Sequence, residues 1–276
     1  MANMSEQFGG SELYRDPSAE VRHFEKESEQ NRDRFGNRLF LSENLAYLDR
    51  HENPTKAGIL ISGEGEDFLK KHSGILKKLD SCLADVDAKD FYSVAIGDEI
   101  ELKRYDHGGQ SNVYLLSCGE EKCIIKTHRP ERETDSFDDD ERTGVRIDQP
   151  YLNEMLQTQS FAKDLVDELR KLHVQMPVFL FASGQVSCTK FYLDSYQRIE
   201  ENERQNLREL WDIAQSYIFE QQHQGNHLWE GVELDNPSNY RIADRNFIKT
   251  EDGTLVWIDP FVLDTTPREP GRRYLR

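Results

Sequence analysis

The feature that most constrains the fold is a change of hydrophobic period at Asp98. From there Ile100 and Leu102 alternate with Glu99, Glu101 and Lys103, the period-two pattern of a half-buried strand. The loop DHGGQS leads into a second run, NVYLLSC. A turn at Gly119–Glu120–Glu121 leads into a third, KCIIKT. Three runs joined by short turns predict an antiparallel meander, because short connections can only link antiparallel neighbours.

After the acidic stretch ERETDSFDDDERTG the period becomes helical. Leu152, Met155 and Leu156, then Leu165, Leu169 and Leu172, fall at helical spacing. Two more strand-like runs, PVFLFA and QVSCTKFYL, flank Ser183–Gly184. A helix from Asn206 carries Leu207, Leu210, Trp211, Ala214, Tyr217 and Ile218 on one stripe. Last come NFIKT and TLVWID around Glu251–Asp252–Gly253; an Asp-Gly turn between apolar runs signals a hairpin.

The first 90 residues read differently. Residues 1 to about 35 are polar and predict a flexible arm or a loosely packed helix. Asn37–Arg50 has Leu41, Leu45 and Leu48 at helical spacing. Asp67 suggests the N-cap of a helix whose apolar face holds Ile75, Leu76, Leu79 and Leu83. The expectation is three regions: a helical extension over 1–90, a sheet-bearing part over 91–193, and a helical part with a terminal hairpin and a basic tail over 194–276.

Composition narrows the function classes. Charged residues make up 32% of the chain, apolar residues 36%, and the formal charge is −17. A general electrostatic grip on nucleic acid or an anionic membrane is therefore not expected. No apolar run approaches the roughly 20 residues that cross a bilayer. The N-terminus lacks the apolar region of a signal peptide. Cys82, Cys118, Cys123 and Cys188 form no CxxC pair, which fits ordinary thiols in a reducing compartment. The expected location is cytoplasmic.

Chemistry concentrates in three places. Gly108 and Gly109, with Ser111 closing their loop, let the backbone approach a bulky anion, although paired glycines more commonly make a turn and nothing else. Lys126 ends the apolar strand Cys-Ile-Ile-Lys one hairpin later, where its ammonium can meet phosphates. Glu154, beside the apolar stripe of the next helix, is its natural partner. Asn246 opens the last hairpin and Asp259 closes it, so an amide oxygen and a carboxylate can share a hard cation such as Mg²⁺.

In this order the set resembles the protein-kinase-like superfamily: glycine loop, strand lysine, helix glutamate, then asparagine and aspartate around a short hairpin. The resemblance covers roughly residues 95–262. It implies an α+β bilobal fold with a five-stranded antiparallel N-lobe sheet and a reduced, C-terminally truncated helical C-lobe. It implies ATP and Mg²⁺ as cofactors, Lys126 at the phosphates with Glu154 as its ion-pair partner, and Asn246 and Asp259 as metal ligands. Phe191–Tyr192–Leu193 falls where such proteins have the hinge that meets adenine, which makes Tyr192 and Leu193 cofactor-binding candidates. The implied activity is ATP- and Mg-dependent phosphoryl transfer to an alcohol group.

Two departures leave alternatives open. The catalytic aspartate of that family stands about five residues before the metal-binding asparagine, and here that position is Arg241. Either Asp244, or Asp235 folded back, supplies the carboxylate, or the chain is a pseudokinase, nucleotide-binding or nucleotide-free, that acts as an interaction module through residues 1–90. The short sequence after Asp259 is expected to leave no room for an activation segment and a peptide-binding region, as in minimal kinases that are similarly cut down; a small-molecule kinase is the other enzyme alternative.

Overall fold

The structure, a computed structural model, describes residues 32–40, 45, 48, 58–86, 93–97, 99–107, 111–128, 150–192, 199–234, 246–258 and 260–263. It is a mixed α+β fold built on an antiparallel eight-stranded sheet. The strands of that sheet are β1 (Arg38–Phe40), β2 (Ile59–Ile61), β3 (Ser93–Gly97), β4 (Ile100–His107), β5 (Ser111–Cys118), β6 (Glu121–His128), β8 (Phe179–Ala182) and β9 (Val186–Lys190), in the order β1-β2-β8-β9-β6-β5-β4-β3. β7 (Val174–Gln175) belongs to a separate sheet.

The expected meander is present as β4, β5 and β6. Leu102 lies opposite Leu116, and Leu116 opposite Cys123, so these side chains share one face. That face is buried beneath two helices, α1 (Gly63–Lys71) and α2 (Ile75–Val86). Ile75, Leu79 and Leu83 meet Leu102, Leu116 and Ile125 there in one core. Alternation and helical spacing thus describe two sides of a single interface.

The sheet is wider than the five strands expected, and residues 1–90 are not wholly helical. Arg38–Phe40, inside the stretch whose leucine spacing suggests a helix, is strand β1. It pairs with β2, which pairs with β8. β3 adds a strand at the other edge. Ser62, rather than Asp67, caps α1: its Oγ accepts the Gly65 N–H at 2.9 Å and donates to Phe179 O at 2.6 Å. Asp67 therefore lies inside the helix. Gly65 is required by proximity, since a Cβ there would stand 1.7 Å from Leu180 O.

The opposite sheet face is covered in part by α3 (Pro150–Asp164), which packs on β8 and β9. Tyr151, Leu152 and Met155 bury against Leu60, Phe179 and Ala182. The β4–β6 side of this face stays more open, with Val113, Leu115 and Ile124 only half-buried.

A second core lies C-terminal to the sheet. It gathers Phe161 of α3, Leu169 of α4 (Val166–Lys171), Leu207, Leu210, Ala214 and Tyr217 of α5 (Glu201–His223), and Trp229 and Trp257. Its strands are short: β7, β10 (Val232–Leu234), β11 (Phe247–Lys249), β12 (Leu255–Trp257) and β13 (Phe261–Leu263). β11 and β12 form the expected hairpin, with Gly253 at φ +85° in its turn. β12 also pairs in parallel with β7, and β10 pairs with β13.

Candidate functional site

The site is built on the open face of the meander. Lys126 lies on β6 opposite Val113 of β5 and Ser187 of β9. Its Nζ donates to Glu154 Oε1 at 3.1 Å, from one turn into α3. The side chains are 17% and 16% exposed, so the pair is largely withdrawn from water. At that burial the partners depend on each other: removing one leaves the other an under-compensated charge. The helix that follows β6 therefore brings a carboxylate to the strand lysine, as the chemistry of the two residues predicts.

Ser111 opens β5. Its Oγ accepts from Tyr151 Oη at 2.8 Å, and Tyr151 is buried at the start of α3. The sequence reading missed Tyr151; its only signal is its place one turn before Glu154. The same helix thus holds both the end of the glycine loop and the lysine. Gly108 and Gly109 lie outside the described residues.

At the end of β9 the chain runs through Phe191 and Tyr192. The Phe191 N–H donates to Lys122 O at 3.2 Å. The Tyr192 hydroxyl accepts from the Val178 N–H at 2.8 Å. Burial pushes its phenol up, against that bond. Tyr192 is thus tied through its hydroxyl to the backbone just before β8. Leu193 lies outside the described residues.

The hairpin closes at its open end through the Ile258 N–H, which donates to Asn246 O at 2.8 Å. Phe247 and Trp257 stack just inside, ring centroids 5.3 Å apart. Asn246 is half-buried and lies beside the residue that precedes Asp259. Asp259 and Asp244 lie outside the described residues. Among the described residues no group of three or more His, Cys, Asp or Glu side chains is arranged to hold a metal ion.

A cavity of ≈ 640 Å³ is lined by neither Lys126 nor Glu154. Its walls come from α1 (Glu64, Phe68), the start of β6 (Lys122), Phe191 and the hairpin (Lys249). Lys249 is engaged by Glu203 of α5 at 2.6 Å. Burial raises the Glu203 carboxyl, but the Lys249 ammonium and the Glu200 N–H outweigh it and hold it below its ordinary value. Two thiols of the covered sheet face, Cys118 and Cys188, are poor nucleophiles. Burial pushes Cys118 up to about 12 and raises Cys188 well above the ordinary thiol range, which keeps both protonated.

No protein-family model matches the chain, and no curated protein is significantly similar to it.

Proposed function

We propose that the protein is an ATP- and Mg²⁺-dependent phosphotransferase of the protein-kinase-like type, with a bilobal arrangement about the open sheet face. The observation that carries this reading is the Lys126–Glu154 pair at 3.1 Å. It joins the third strand of a glycine-loop meander to the helix that follows, the place such a pair holds in that family. Lys126 orients the α- and β-phosphates while Glu154 fixes the ammonium. The half-buried Val113, Leu115 and Ile124 offer an apolar surface suited to a flat base. Asn246, with Asp259 after Ile258, binds the metal. The bound nucleotide supplies the transferable γ-phosphoryl group, and Asp244 orients the acceptor hydroxyl.

A second reading is favoured by Arg241, which stands where the family places its catalytic aspartate: a pseudokinase that binds nucleotide without turnover. Thermal unfolding with and without MgATP tests the shared part of both readings. A ligand at about 100 times its Kd stabilises by roughly 2.7 kcal/mol. Wild type should shift upward, Asp259→Ala should lose the metal-dependent part, and Lys126→Met should lose most of the shift. No shift with any nucleotide would overturn both readings. Transfer from labelled ATP that Asp244→Asn abolishes would then separate the enzyme from the pseudokinase.

A further inference from the structure

Helix α3 carries polar side chains at positions that are buried. Gln157 and Ser160 are each 3% exposed. Buried amides and hydroxyls need specific partners, so such a helix sits where those partners put it. Gln157 Nε2 reaches Leu228 O at 2.8 Å. Ser160 Oγ is 3.2 Å from Tyr217 Oη, which donates to Asp164 at 2.7 Å. The remaining grip comes from an element far away in sequence, the turn before and into β1.

That turn is internally braced. Asp33 accepts from the Phe35 N–H at 2.8 Å, the Asn37 N–H at 2.9 Å and Asn37 Nδ2 at 2.9 Å. Gly36 takes φ +80°. Arg32 binds Gly36 O at 2.7 Å and pairs with Glu66 of α1 at 2.8 Å, while β1 is zipped to β2. From this base the turn reaches α3. Asn37 is 1% exposed and forms a reciprocal amide pair with Gln159, at 2.5 Å one way and 2.9 Å the other. Arg34 donates to Ser160 at 3.3 Å, and Lys163 lies 5.6 Å from the Phe35 ring.

We propose that the Arg32–Phe40 segment is a positioning clasp for α3, and that by gripping Gln159 and Ser160 it holds the helix in the register that brings Glu154 to Lys126. Asn37 and Gln159 are positioning residues, acting through Glu154. A two-point amide pair fixes the rotation of the helix as well as its distance, because both bonds form at one relative orientation. The effect on nucleotide affinity rests on the phosphate role proposed for Lys126; the effect on the helix does not.

The test is a double-mutant cycle on the full chain, with MgATP binding by calorimetry and amide hydrogen exchange of the unliganded protein. Asn37→Ala should weaken MgATP about tenfold, the loss of one or two buried hydrogen bonds. Glu154→Gln should weaken it at least as much. The double variant should be no weaker than Glu154→Gln, since residues acting through one another are not additive. Should Asn37→Ala fail to fold, Gln159→Ala removes the grip while keeping the Asp33–Asn37 turn. In either variant exchange should quicken in residues 150–164 and stay as it is in residues 75–86. Full additivity, or unchanged affinity, overturns the clasp. If wild type binds no MgATP, the nucleotide reading falls and exchange decides alone: quickening in 150–164 upholds the clasp, and its absence overturns it.

Discussion

The two largest cores among the described residues are held in different ways. Beneath the large sheet, three eight-residue strands, β4, β5 and β6, present aliphatic and thiol side chains to α1 and α2. Beyond α3, strands of two or three residues surround a ring of aromatics. There Phe161 meets Tyr217 at 5.3 Å, Tyr217 meets Trp229 at 5.2 Å, and Trp229 meets Phe261 at 5.1 Å. A long hairpin sets its own register through many ladder bonds and a one-residue slip would turn its whole apolar set outward. A three-residue strand has no such protection, so its register is set by the rings that lock around it. Helix α3 links the two regions, with Met155 on the sheet face opposite α1 and α2 and Phe161 in the aromatic ring.

The largest effect expected from this contrast is at Trp257. It is 2% exposed, stacks on Phe247, and approaches Phe161 at 6.0 Å. Trp257→Ala should cost about 3–5 kcal/mol in denaturant unfolding. Ile125→Val, a trimmed methylene under the large sheet, should cost only about 0.5–1.5 kcal/mol. Comparable losses at the two positions would mean that the aromatic ring is not what secures the short strands.

An intermediate effect is expected where α1 crosses β8. Alanine is favoured over glycine inside a helix by about 1 kcal/mol, so Gly65→Ala on an exposed helix would stabilise. Here the new methyl would meet Leu180 O at 1.7 Å and force the helix off the sheet. A net loss of roughly 1–3 kcal/mol is expected. A rise in melting temperature would show that α1 does not rest on β8 as described.

The smallest effect concerns pH and the tie between the hairpin and α5. The Glu203 carboxyl is held below its ordinary 4.5, chiefly by Lys249 working against burial. A depressed carboxyl adds stability that is fully present above the unfolded value and is lost as pH falls through the folded one. Wild type should therefore exceed Lys249→Met at neutral pH, with a pH-dependent part of about 1 kcal/mol. The gap should close as acid is added below 4.5. A gap independent of pH would assign the effect of Lys249 to packing instead.

Legibility from sequence followed the same division. Alternation around Ile100, Leu102 and Leu116 identifies long strands because eight residues are enough to display a period. The Asp252–Gly253 turn identifies the hairpin, since the positive φ of Gly253 is a local requirement. Arg38–Phe40 and Ile59–Ile61 are too short to show a period, and leucines at 41, 45 and 48 suggest a helix starting where β1 lies. Their membership in the sheet depends on the edge offered by β8, which no local pattern reports. Residue preference alone points to Asp67 as the cap of α1. Ser62 takes it because that hydroxyl also reaches the Phe179 carbonyl across the interface.

For the site, what the sequence determined by itself is chemical: a lysine ending an apolar strand and a glutamate beside an apolar helical stripe each carry a charge that is costly to bury alone, so they are natural partners. What only the tertiary structure decided is orientation. Tyr151 finds Ser111 at a separation of 40 residues, and Asn37 finds Gln159 at 122. Tyrosine, asparagine and glutamine are satisfied equally well by water or by any nearby carbonyl, so their composition and spacing name no partner. The choice is made when α3 settles between the sheet and the aromatic core, where water is excluded and the groups within reach are fixed.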